Sequence, residues 1–141
     1  MKDLKIYTHN AKYYETDQMG IIHHSNYIRW MEEARIDMME QIGMSYGDME
    51  KAGIISPVLS IKCNYKNMVH FNDTVAIKVK VVKYTGIKLE LEYEMINTKT
   101  GEVTTTGESS HCFLDRDGKL LSLKKDYPEY DEILSEMKDT V

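Results

Sequence analysis

Cysteine, proline and glycine are all scarce in this chain: two, two and eight of 141 residues. That scarcity excludes a disulfide-stapled scaffold and a collagen-like or low-complexity chain. Cys63 and Cys112 lie far apart and match neither a C-x-x-C redox pair nor zinc-ligand spacing. Both read as reduced, buried, small hydrophobes. No apolar run approaches the ~20 residues that a membrane-spanning helix needs. No apolar leader follows Met1-Lys2-Asp3-Leu4-Lys5, so a cytoplasmic chain is expected. There is no internal repeat and no linker, and the length suits one domain, residues 1–141, with a core of its own.

An excess of positive charge is missing as well. The net charge of −5 is concentrated in residues 126–141, which hold six acids and one lysine, so the rest of the chain balances. Without a basic surface, nucleic acid is disfavoured as the main partner. One stretch departs from that balance: Lys62, Lys66, Lys78, Lys80, Lys83 and Lys88 occur with Asp73 as the sole acid among them. Such a band either decorates the wet face and edges of strands or meets a compact polyanion such as a nucleotide phosphate.

What is present is periodicity. Lys5-Ile6-Tyr7-Thr8 predicts a short first strand, followed by an aperiodic stretch over about residues 10–25. Connections of that length in a small domain are often functional. Tyr27, Trp30, Met31, Ala34, Met38, Gln41 and Ile42 then follow helical spacing, predicting one long helix over about 26–42. Ser25 or Asn26 is expected to cap its start, and Gly43 to end it. A short second helix is expected near 45–52, closed by Gly53.

The remainder reads as antiparallel sheet. Strands are predicted from Pro57 to Tyr65, along Val75-Ile77-Val79-Val81, along Ile87-Leu89-Leu91-Tyr93-Met95, and from Val103 to Leu114. Gly107 suggests a bulge, Asp117-Gly118 a tight turn, and the residues after Pro128 an acidic amphipathic helix. One helix lying across a strongly curved antiparallel sheet is an α+β fold. A single helix cannot cover the whole sheet, so a second copy that extends it or buries its remainder is expected.

The stretch from Tyr13 to Trp30 carries the chemistry. It places a carboxylate, Asp17, three residues before Gly20 and ahead of a helix start at His24 to Asn26. Free N–H groups at a helix start stabilise an oxyanion, and a carboxylate nearby can attack a carbonyl or activate water. Together they suffice to hydrolyse an activated acyl group. Read alone, Asp17 is a plain turn aspartate first, and Tyr27, Trp30 and Met31 are core before they are anything else. His23-His24 makes a poor metal pair, because adjacent residues diverge and no third ligand follows at suitable spacing. His9, His70 and His111 read as surface or hydrogen-bonded strand histidines.

Asp17, Gly20, His24, Asn26, Tyr27, Trp30, Glu32, Ala34 and Arg35, nine positions in a 19-residue window, stand in one register. In them, and in length and element order, the chain resembles the hotdog-fold acyl-CoA thioesterases related to 4-hydroxybenzoyl-CoA thioesterase. The resemblance implies a central helix wrapped by a curved antiparallel sheet of five to six strands, and hydrolysis of a fatty or aromatic acyl-CoA to free acid and CoA. It implies Asp17 as nucleophile or general base, and the His24 N–H as the donor that polarises the thioester carbonyl. The His24 side chain can orient Asp17 or a water, while Gly20, Asn26 and Tyr27 stand on the substrate side. No metal or other cofactor is implied, since coenzyme A is part of the substrate and its thiolate leaves readily. A homodimer or homotetramer with the site at a subunit interface is implied, and the lysine band becomes a place for the CoA phosphates. Ten methionines suggest an adaptable apolar lining and so favour an aliphatic acyl chain. The alternatives are an acyl-CoA sensor without catalysis, against which the presence of Asp17 speaks, and a hotdog hydratase, which needs a differently placed histidine. An acyl carrier protein in place of CoA would also suit the lysines.

Overall fold

The structure, a computed structural model, describes residues 4–139. Five antiparallel strands form one sheet in the order β1-β3-β4-β5-β2. They span Tyr7–Asn10 (β1), Val58–Tyr65 (β2), Thr74–Tyr84 (β3), Lys88–Asn97 (β4) and Val103–Cys112 (β5). The long helix α1, Ser25–Gln41, lies on the apolar face of the sheet, followed by α2 at Tyr46–Ala52. Leu123–Asp126 (α3) and Pro128–Asp139 (α4) close the far end. The sheet and long helix match the α+β architecture expected. Among the described residues no helix is long and apolar enough to cross a membrane.

Alternation decides which residues face α1. Leu89, Leu91, Tyr93 and Met95 of β4 are buried, while Lys88 before them and Glu92 among them are exposed. On β3 the register slips between Val81 and Lys83. That extra residue turns Tyr84 inward instead of Lys83, so Val75, Ile77, Val81 and Tyr84 are buried. The α1 stripe is Tyr27, Trp30, Met31, Ala34 and Met38 as the spacing predicts, with Arg35 and Met39 added. Gln41, expected in the stripe, is half-buried instead.

Several expectations need correction. The first strand runs Tyr7–Asn10, two residues later than expected. Lys5 is unavailable to a sheet, because its N–H donates to Gln41 Oε1 at 2.8 Å and its carbonyl accepts from Gln41 Nε2 at 2.9 Å. Cys63 is half-buried, since β2 is an edge strand, whereas Cys112 is buried; both are free thiols. The short helix α3 was not anticipated, and its Leu123 packs fully buried with Leu134 of α4. Tyr84 anchors α4 by donating to Asp131 at 2.6 Å. Burial, with that carboxylate beside it, holds the Tyr84 hydroxyl far above its ordinary pKa.

Gly107 is no bulge. It pairs in unbroken register with Cys63 on one side and Tyr93 on the other. Its role is close approach: a Cβ there would stand 2.9 Å from Met31 Cε and 3.1 Å from the Lys62 carbonyl oxygen. The missing side chain lets α1 settle onto the sheet through Met31, itself fully buried. Gly107→Ala is therefore expected to destabilise the fold by about 1–3 kcal/mol through overpacking. Equilibrium urea unfolding checks this, and an unchanged midpoint would show that Met31 yields freely.

A buried polar chain crosses the core behind α1. Arg35, 5% exposed, donates to the hydroxyls of Tyr46 at 3.1 Å and Tyr93 at 2.9 Å. Tyr93 shares a 2.7 Å hydrogen bond with Ser109, which shares another of 2.7 Å with His111 Nε2. Burial first, and then the Arg35 cation, push the His111 pKa down to about 4, so its imidazole is neutral at physiological pH.

Candidate active site

The connection between β1 and α1 is compact. After a single 3-10 turn at Tyr13–Glu15, Thr16 bridges to Ile22, and Ile21 to His70. Between them the chain reverses at Asp17, whose N–H donates to the Ile21 carbonyl at 2.8 Å. The Gly20 N–H returns to the Asp17 carbonyl at 3.1 Å. Gly20 has φ +76 with open space around it, so glycine is needed for the backbone conformation. The Asp17 side chain is held by its own turn, Oδ1 accepting from the Met19 N–H at 2.8 Å. Asp17 is half-buried at the lip of the loop, close enough to Tyr27 for its charge to act on that hydroxyl.

The start of α1 differs from expectation. The residue in the cap position is His24, and no side chain of Ser25 or Asn26 caps the helix. Instead His23 Nδ1 accepts from the Ser25 N–H at 3.2 Å. The Asn26 N–H goes to the His23 carbonyl and the Tyr27 N–H to the His24 carbonyl. The N–H of His24 is thus the one at this helix start that takes no acceptor among the described residues. Its imidazole is exposed and stacks on His23 with ring centroids 4.3 Å apart. Asn26 is nearly buried and acts as a strut: its Nδ2 donates to the Glu15 carbonyl at 2.8 Å, and its Oδ1 accepts from Arg29 at 3.2 Å. Tyr27 lies against Trp30 and Tyr65, with centroids 5.1 and 5.2 Å away. Burial pushes its pKa up to about 12, so it remains a neutral phenol.

Two residues missed by the sequence reading belong to this neighbourhood. Tyr65, at the end of edge strand β2, donates its hydroxyl to the His24 carbonyl at 3.4 Å. Glu15, 6% exposed, accepts from the Lys12 N–H at 2.7 Å, from Trp30 Nε1 at 2.7 Å and from His9 Nε2 at 2.9 Å. Burial raises its pKa, but those hydrogen bonds prevail and hold it below the usual carboxylate range. Only the acid residue itself, two positions before Asp17, was visible beforehand; nothing local announced its partners. His9 is accordingly a hydrogen-bonded strand histidine, as is buried His111, while His70 is largely exposed. Among the described residues no three His, Cys, Asp or Glu side chains converge to hold a metal ion.

The lysine band lies on the outer side of the sheet. Lys78, Lys80 and Lys83 stand opposite Glu94, Glu92 and Glu90, and Lys62 opposite Glu108. Lys66, following Tyr65, and Lys88, opposite Cys112, face no acid in the strand register.

The chain as a whole has known counterparts. The model of the thioesterase-like superfamily matches residues 12–137. The chain belongs to that family. YneP of Bacillus subtilis, described as a candidate acyl-CoA thioesterase, is 36% identical over 121 residues, covering 85% of this chain and 87% of that one. A DHNA-CoA thioesterase from Staphylococcus aureus superposes with a TM-score of 0.90 at 39% identity, over 95% of this chain and 90% of that one. A second Staphylococcus aureus protein, solved in complex with CoA, shares the fold with a TM-score of 0.87 at 15% identity, over 99% of this chain and 86% of that one. With these neighbours the α+β architecture is the hotdog fold, and this family member is a thioester hydrolase.

Proposed function

We propose that the chain hydrolyses acyl-CoA thioesters to the free acid and CoA, with Asp17 as the reacting carboxylate and the His24 N–H as the oxyanion donor. The observation that carries this reading is the open His24 N–H at a helix start whose next three N–H groups are all engaged. Attack on the thioester carbonyl moves charge onto its oxygen. A donor already fixed in place stabilises that charge without reorganising, and the positive end of the α1 dipole adds to it. Asp17 supplies the electron pair, either to the carbonyl carbon, giving a mixed anhydride that water then opens, or to a water proton. In both routes the carbon–sulfur bond breaks and CoA departs as its thiolate. Gly20 keeps the turn bare beside the substrate, and neutral Tyr27 offers an apolar ring face.

The CoA specificity is supported by the relatives and by the CoA held by the structural neighbour. Lys66, unopposed by an acid and next to Tyr65, suits the CoA phosphates better than the paired lysines of β3. Edge strand β2 supports self-association. Among the described residues its outer backbone edge has no partner strand, and Val58, Leu59, Tyr65 and nearby Met68 are exposed, a combination that invites a second copy. Such a dimer brings the partner beside Tyr65 and His24. Sedimentation velocity is expected to give at least twice the 16.4 kDa chain mass.

The test of the activity is free-thiol release from a panel of short, long and aromatic acyl-CoAs. Turnover of at least one class is expected, and it should fall by orders of magnitude when Asp17 is changed to Asn. Tight acyl-CoA binding with no thiol release from any of them would replace the enzyme with a sensor.

A further inference from the structure

We infer that Glu15 is the positioning residue of this site, clamping the Asp17 turn to the start of α1 at a fixed separation from the His24 N–H. The inference rests on the reading of Asp17 and His24 above. It starts from a contrast in hydrogen bonding. The bonds made by Asp17 itself, to Met19, Gly20 and Ile21, lie within its own turn. That turn is stiff, but it can move as a body. Ile21 and Ile22 tie it to the His70 and Val69 segment, not to the helix. Among the described residues, every hydrogen bond from residues 12–22 to α1 and its entry ends on Glu15. Its carbonyl accepts from the His23 N–H at 2.9 Å and from Asn26 Nδ2 at 2.8 Å, and its Oε2 from Trp30 Nε1 at 2.7 Å. Its Oε1 binds the Lys12 N–H and His9 Nε2, fastening the same point to the end of β1.

The chemistry of those partners requires a carboxylate. A peptide N–H and an indole N–H only donate, and they approach opposite oxygens. Glutamine would turn its own NH₂ toward one of them and leave that donor unmatched. Among the described residues the ion-pair partner of Glu15 is His9 and not a lysine or arginine, and a buried anion so partnered is a costly choice for a brace. It is suited to a place where two reacting groups must stand at one spacing.

The experiment is a double-mutant cycle with Glu15→Gln and Asp17→Asn, read as kcat and KM for acyl-CoA hydrolysis. Glu15→Gln is expected to lower kcat by about 10–100-fold with KM changed less than about threefold, as misplacement by roughly an ångström does. In the Asp17→Asn background the same change should cost less than about threefold, because the group it positions is already disabled. Trp30→Phe removes one donor to Oε2 and keeps the carboxylate. It should show a smaller loss with the same disappearance, and it carries the cycle if Glu15→Gln does not fold. Equal losses in both backgrounds, or a rise in KM with kcat unchanged, would overturn the inference while leaving the role of Asp17 intact. Full activity of Asp17→Asn alone would overturn both, and that arm is read separately.

Discussion

Asp17→Asn is expected to lower kcat for acyl-CoA hydrolysis by about three orders of magnitude, with little change in KM or in thermal stability. The substitution isolates chemistry from architecture. Asparagine keeps an Oδ1 able to accept the Met19 N–H now held at 2.8 Å, and asparagine suits such turns as well as aspartate does. What disappears is the anion. An amide neither attacks a thioester carbonyl usefully nor accepts a proton from water. The open His24 N–H and the helix dipole remain, so a residual rate above solution is expected, as when any reacting group is removed from a site with its oxyanion donor left in place. Thiol release under saturating substrate, with circular dichroism and melting temperature as controls, decides it. A loss below about tenfold would move the chemistry to another group, since general base or nucleophilic assistance contributes more than that.

Acidification from pH 6.5 to pH 4 is expected to remove about 3 kcal/mol of folding stability through His111 alone. Its folded pKa is about 4, against an ordinary value of 6.5. Above pH 6.5 neither state binds the proton, and His111 contributes no dependence. Between those values the unfolded chain takes up a proton that the folded chain refuses, so stability falls with pH by about 1.4 kcal/mol per unit. Below pH 4 both states are protonated and this dependence ends. The cause lies in the core: His111 is 1% exposed, bonded to Ser109, and faces the Arg35 cation, whose partners are tyrosine hydroxyls. Denaturant unfolding from pH 7 to 4.5 measures the slope. The variant His111→Gln should flatten it by close to one proton over that range, whatever the change in its absolute stability. An unchanged slope would assign the acid sensitivity elsewhere. Glu15, held below the usual carboxylate range, acts in a lower window, where stability present above its unfolded pKa is lost as pH falls toward its folded value.

The local pattern of the chain determined its main elements, though not α3 or the start of β1. Two-residue alternation in β4 and helical spacing from Tyr27 to Met38 state which side of each element is apolar, and burial follows directly. The Asp17–Arg35 window likewise marked the turn, the helix start and the family, because those features are encoded within a few residues of one another. Tertiary structure decided everything that depends on which partner arrives. Tyr65 meets His24 across 41 positions of sequence, and the register between β2, β5 and β4 puts Gly107 under Met31. A glycine that permits a turn and one that permits close approach look alike in sequence; only the neighbour distinguishes them. Glu15 and His111 read as an ordinary acid and an ordinary strand histidine until folding surrounds one with donors and the other with a cation and apolar side chains. Hydrophobic periodicity is short-ranged, whereas desolvation and hydrogen-bond matching are set by groups that the chain brings together from afar.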